Sequence, residues 1–178
     1  NYKISNTKMS DYPEYVIAMA CVKLAAAQTN KELGAMDPKI ADAIIEACRE
    51  IIDGKFHDQF PVDMMHGGAG TSVNMNANEV IANRAREILG HKKGEYQFCS
   101  PNDHVNCAQS TNDAYPSAFR YAFIRMNRKL EKSLKDLIKA FETKGEEFKD
   151  VIKMGRTQLQ DAVPMTSGQE FHAYATNL

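Results

Sequence analysis

No apolar run in these 178 residues is long enough to cross a bilayer, and no charged stretch followed by an apolar one has the form of a secretory leader. An excess of charge is lacking too. The 22 Lys and Arg stand against 23 Asp and Glu, a formal charge of -1, without the basic stripe that nucleic acid or an anionic membrane requires. Neither is an expected partner. Cysteine is scarce and scattered: Cys21, Cys48, Cys99 and Cys107 show no CxxC spacing, so reduced thiols in a cytoplasmic protein are expected rather than a disulfide framework. What remains, 43% hydrophobic and 25% charged, is the composition of a soluble globular protein.

Both ends read as cut. The chain opens on Asn1 rather than Met, and it stops at Leu178 just after TSGQEFHAYATNL has begun to look helical. An excerpt of a longer protein is therefore expected. Such an excerpt exposes apolar surface that its remainder would cover, and any site shared with that remainder is incomplete.

Periodicity gives mostly helix. From Tyr12 to about Lys31, VIAMACVKLAAA is rich in Ala, Leu and Met, with Ser10 and Asp11 placed to accept from first-turn amides. Asp37-Pro38 opens a second helix in which Ile40, Ile44, Ala47, Cys48 and Ile51 keep the spacing of one buried face, and Gly54 stops it. A helical hairpin is predicted. Residues 55–74 lack such a period and hold Pro61, Gly67, Gly68 and Gly70, after which MNANEVIANRAREILG reads as a helix ending near Gly90. Between about Asn112 and Lys149, Met126, Leu130, Leu134, Leu137 and Phe141 recur at helical spacing among charged residues. A helix that long needs neighbours along its length, which points to a long bundle or an oligomeric core, or to a coiled-coil arm. Gly145 is read as a bend, VIKMGRTQLQDAVP as a short extended link, and Pro164, Thr166 and Ser167 as the start of a last helix.

Three polar clusters carry the chemistry: GGAGTSVNMN, PNDHVNCAQSTND and GRTQLQD. The first two lie where a helix begins, where unpaired N–H groups and the positive end of the helix dipole attract anions, and where glycine lets a ligand approach the backbone. Thr71, Ser110 and Thr111 add hydroxyl donors. A small substrate with two carboxylates, each offering about four lone-pair positions, would occupy many such donors without a dense cluster of cations. Blander readings exist for each cluster alone. On those readings Thr71 and Ser72 only cap one helix, and QSTND the next. GGAGTS lacks the Lys of a phosphate loop and has no preceding strand. Neither His57, Asp58, Asp63 and His66 nor His104 and Cys107 have a metal-ligand spacing, and Met64 and Met65 read as core filler.

Taken together, GGAGTSVNMNANEVIANRA, PNDHVNCAQSTND and KMGRTQLQDAVPMTSGQE resemble the aspartase/fumarase superfamily over nearly the whole chain. The details are more similar to its aspartase branch than to class II fumarases. Fumarases show GSGTQ where this chain has GAGTS, QSSND where it has QSTND, RTH where Gln158 stands, and usually His at the place of Ser100. The resemblance implies an all-α fold with at most a short β-hairpin: an N-terminal helical domain over 1–107, and over 108–178 the incomplete start of a central helical bundle.

It further implies a homotetramer whose active sites combine the three motifs from three different subunits. Carried over by motif, Thr71, Ser110 and Thr111 would hold the carboxylates of a small dicarboxylate, with Asn112, Thr157 and Gln158 near its amino group and remainder. The implied reaction is reversible deamination of L-aspartate to fumarate through an enediolate, with no required cofactor and with a possible activating divalent metal (Mg) for which the sequence offers no ligands. A fumarase-like hydratase and a non-catalytic helical scaffold are the alternatives. The family's loop of the form GSSxMPxKxN, whose Ser resembles the proton-abstracting base, has no counterpart in these residues. The 178 residues alone are therefore expected to be inactive.

Overall fold

The computed structural model describes residues 4–178. Its regular elements are α1 (Pro13–Glu32), α2 (Pro38–Ile52), α3 (Thr71–Ile88), α4 (Thr111–Glu147), the antiparallel pair β1 (Ile152–Thr157) and β2 (Gln160–Thr166), and α5 (Ser167–Asn177). This is the expected all-α class with one short hairpin. The chain divides within α4 into two compact units, Asn1–Arg125 and Met126–Leu178, whereas the sequence reading placed its boundary at 107/108.

In the first unit, α1 and α2 form the predicted hairpin, and α2 packs in turn on α3. Asp37 caps α2 by accepting from the amides of Lys39 (2.8 Å) and Ile40, and Pro38 occupies the first helical position. Ile44, Ala47, Cys48 and Ile51 are fully buried as the spacing required, while Ile40 is only half-buried. The expected cap of α1 does not form. Pro13 starts that helix and has no amide to satisfy, and Asp11 instead accepts from Lys8 N at 2.8 Å. Helix α3 begins at Thr71, four residues before the predicted start at Met75. Its first turns lack an apolar period because Asn74 and Asn78 occupy buried positions on its inner face.

Asp63 fastens the loop before α3 to the N-terminal segment. Its Oδ2 accepts from the amides of Ile4 (2.9 Å), Ser5 (2.8 Å) and Asn6 (3.1 Å), and its Oδ1 from Ser5 Oγ (2.7 Å) and Met65 N (2.8 Å). Burial pushes this carboxyl up, but the hydrogen bonds from Ser5, Met65 and Ile4 outweigh it and hold it well below the ordinary carboxylate range. A group depressed in the folded state stabilises above its unfolded pKa and loses that contribution as pH falls. Asp63→Asn is therefore expected to lower the thermal midpoint at neutral pH and to flatten its decline in acid. A midpoint that falls with acid as steeply as in the parent protein would exclude Asp63 as the source.

The second unit holds the last part of α4, the hairpin and α5. Phe141, Phe148, Phe171 and Tyr174 gather with ring centroids 5.6–6.4 Å apart. Gly145 lies inside α4, which runs on to Glu147. It is a place of close approach, since a Cβ there would lie 2.6 Å from His172 Nε2. Thr166 caps α5 in a reciprocal box with Gln169 (3.2 and 3.0 Å). Of the apolar stripe of α4, Met126, Leu130 and Leu137 are exposed, and Leu134 and Phe141 are half-buried. The elements of this unit cover only the end of that helix.

Candidate functional site

Helices α3 and α4 begin side by side. Asn74, in the second turn of α3, donates Nδ2 to Thr111 Oγ1 at the first position of α4 (3.1 Å). Gly70, the residue before α3, has φ +88° and lies against the face of Tyr115, so a Cβ there would be 2.3 Å from Tyr115 Cγ. A cavity of about 410 Å³ opens at this junction between Met64, His66, Gly70, Asn112 and Tyr115.

The sequence-predicted residues fall in two places. Thr71 is the first residue of α3 and exposed, while Ser110, Thr111 and Asn112 form the start of α4. The structure thus brings the first two clusters together. Ser110 does cap α4: its Oγ accepts from Asn112 N (3.1 Å), and its own amide donates to Asp113 Oδ2 (3.2 Å). Thr71 does not cap α3, because Gly70 stands at that position without a side chain. Thr157 and Gln158 belong to the second unit, at the tip of the β1–β2 hairpin. There Gln158 and Leu159 both have positive φ (47° and 65°), the geometry of a two-residue turn made without glycine. Both side chains are exposed.

Behind the start of α4 lies a buried polar layer that the sequence reading missed. Lys23 of α1 is fully buried, and its Nζ donates to Asn106 Oδ1 (3.0 Å) and Gln109 Oε1 (2.9 Å). Asn106 Oδ1 also accepts from Asn74 Nδ2 (3.1 Å) and Asn78 Nδ2 (3.2 Å), while Asn106 Nδ2 donates to the Gln109 carbonyl (3.0 Å). Burial pulls the Lys23 ammonium down to about 8, with Cys48 acting in the opposite sense. At neutral pH this lysine is still mostly charged. The available signal was one lysine inside the apolar run VIAMACVKLAAA, together with two asparagines four apart, which share one helix face.

Among the described residues, no three His, Cys, Asp or Glu side chains gather as a metal site. Asp63 is occupied by its five donors, His57 Nε2 lies 2.8 Å from the Ile51 carbonyl, and His104 Nδ1 accepts from Ser100 N (2.8 Å). No helix among the described residues is long and apolar enough to cross a membrane. The arrangement offers neutral hydroxyl and amide donors, two helix starts and one buried cation behind them, a setting for an anionic ligand.

A family model described as Lyase matches residues 1–178. The chain is 59% identical over 175 residues to a curated protein named aspartate ammonia-lyase from Helicobacter pylori (strain J99), covering 98% of this chain and 37% of that protein. A solved structure described as fumarate lyase:delta crystallin from Brucella melitensis bound to cobalt matches with a TM-score of 0.88 at 53% identity, covering 99% of this chain and 38% of that one. A class II fumarase from Schistosoma mansoni matches with a TM-score of 0.77 at 40% identity, covering 92% of this chain and 34% of that one. The chain therefore spans well under half the length of the relatives it matches.

Proposed function

The chain belongs to the lyase family, and from that membership we propose that it is part of an ammonia-lyase that converts L-aspartate reversibly to fumarate and ammonia. The observation that carries this reading is the 59% identity to a protein named aspartate ammonia-lyase, against 40% to a class II fumarase. Gln158, where fumarases have His, agrees with it.

The difficulty of the reaction accounts for the donors. A proton beside an ionised carboxylate is hardly acidic, because its removal places a second negative charge on the same group as an enediolate. Collapse of that enediolate forms the carbon–carbon double bond and breaks the C–N bond, and ammonia leaves with the electron pair. Thr71, Ser110 and Thr111 would meet the developing charge, and Asn112, Thr157 and Gln158 the rest of the substrate. Donors aimed at oxygens where charge develops bind the transition state more strongly than the ground state. In this reading the sites are composite in a homotetramer, the base is the Ser of a GSSxMPxKxN loop, and no organic cofactor takes part. A divalent activator would find its ligands outside the clusters described here. The setting is cytoplasmic.

The test is fumarate formation, followed by ultraviolet absorbance, from L-aspartate and L-malate in parallel, with the full-length protein beside these 178 residues. The full-length protein is expected to act on aspartate, and the 178 residues alone to be silent. Activity on malate alone would move the assignment to the hydratase that the fumarase neighbour represents. Enzymatic turnover by the 178 residues would place the base among them.

A further inference from the structure

Lys23 is fully buried, faces two neutral carboxamides, and has no carboxylate partner among the described residues. An ammonium donates and cannot accept, so a carboxamide that faces it must present its oxygen. Asn106 turns Oδ1 toward Lys23, and its Nδ2 on the Gln109 carbonyl fixes the same sense from the other end. Asn74, 3.1 Å from that oxygen, can then offer only its Nδ2, which also donates to Thr111 Oγ1 at 3.1 Å. The consequence is visible in Asn74 itself, whose Oδ1 is buried without a partner. Reversing that carboxamide would let Oδ1 take the Thr111 proton, and the amide is held against doing so. The Thr111 oxygen thus accepts from inside, and among the described residues no acceptor takes its proton.

We infer that Lys23 is a positioning residue: through Asn106 and Asn74 it sets the direction of a hydrogen-bond chain so that the Thr111 hydroxyl donates outward, to a substrate carboxylate. The inference rests on the role given to Thr111 above. Lys23 touches no substrate. It acts by denying Thr111 an internal acceptor, and the positive charge at the inner end of the chain pins the polarity of the links between.

The experiment is a double-mutant cycle in the full-length protein, pairing Lys23→Met with Thr111→Val and assaying both L-aspartate and L-malate. Lys23→Met is expected to lower kcat by about tenfold or more with little change in KM. In the Thr111→Val background the same substitution should change kcat by less than about threefold, because its effect passes through that hydroxyl. Lys23→Arg keeps a donor-only head and should recover most of the turnover lost in Lys23→Met. If Lys23→Met does not fold, Asn74→Ala, two links closer, must show the same coupling to Thr111→Val. Losses that multiply in the double variants, or full turnover by folded Lys23→Met, would overturn the inference. Turnover of malate alone would refute the ammonia-lyase reading while leaving the coupling measurable. Silence of the unsubstituted protein on both substrates would sink both.

Discussion

Thr111→Val in the full-length enzyme is expected to lower turnover by about a hundredfold to a thousandfold, the loss associated with removing one donor from a site of developing charge. The substitution keeps the β-branched shape at the first position of α4 and removes only the hydroxyl, so the helix start and its Ser110 cap should persist. On the inside it leaves Asn74 Nδ2 its second acceptor, Asn106 Oδ1. Assembly and melting should therefore change little while kcat falls. Ser72→Ala, on the turn of α3 beside Thr71, is the comparison and should cost much less. Near-normal turnover by an assembled Thr111→Val protein would remove Thr111 from the substrate site and, with it, the purpose assigned to the buried chain behind it.

The fold was legible where periodicity and local chemistry agreed. The Asp37-Pro38 start and the 3.6-residue spacing of α2 both express one requirement, an apolar face behind a capped end, and the helix formed between them. The hairpin Ile152–Thr166 is implied by the family resemblance, whereas the residues alone read as an extended link, since the turn uses Gln158 and Leu159 where a turn signal would have been glycine or asparagine. The apolar stripe of α4 is legible as a stripe in need of neighbours, but a sequence records only that a face is apolar and not which chain covers it. At the helix starts the outer residues were readable, being hydroxyls and amides, with glycine beside them in the first cluster. The inner layer was not. Lys23, Asn74 and Asn106 each look like a misplaced polar residue when taken singly, and only their mutual hydrogen bonds, across separations of 83 and 32 residues, make them a unit.

Gly70→Ala is expected to be among the most damaging single substitutions in the first unit. Two costs coincide at this position. With φ at +88° any side chain is strained, at roughly 1–2 kcal/mol for a residue forced into left-handed backbone. The new Cβ would also stand 2.3–2.6 Å from three atoms of the Tyr115 ring, so the ring or the loop must move, and overpacking of this kind costs about 1–3 kcal/mol. Gly68 separates the two terms, since it has φ +85° and open space around a built Cβ; Gly68→Ala should show the backbone cost alone. Thermal midpoints of the two variants should thus differ, with Gly70→Ala clearly the lower, and equal shifts would rule out the clash with Tyr115. The functional consequence follows from where the ring sits. Tyr115 is in the first turns of α4, four residues after Thr111, so displacing it disturbs the helix start that presents Ser110, Thr111 and Asn112. In a double-mutant cycle, Gly70→Ala should cost less in a Tyr115→Ala background than in the parent if the contact is the cause, and the same in both if backbone strain alone decides.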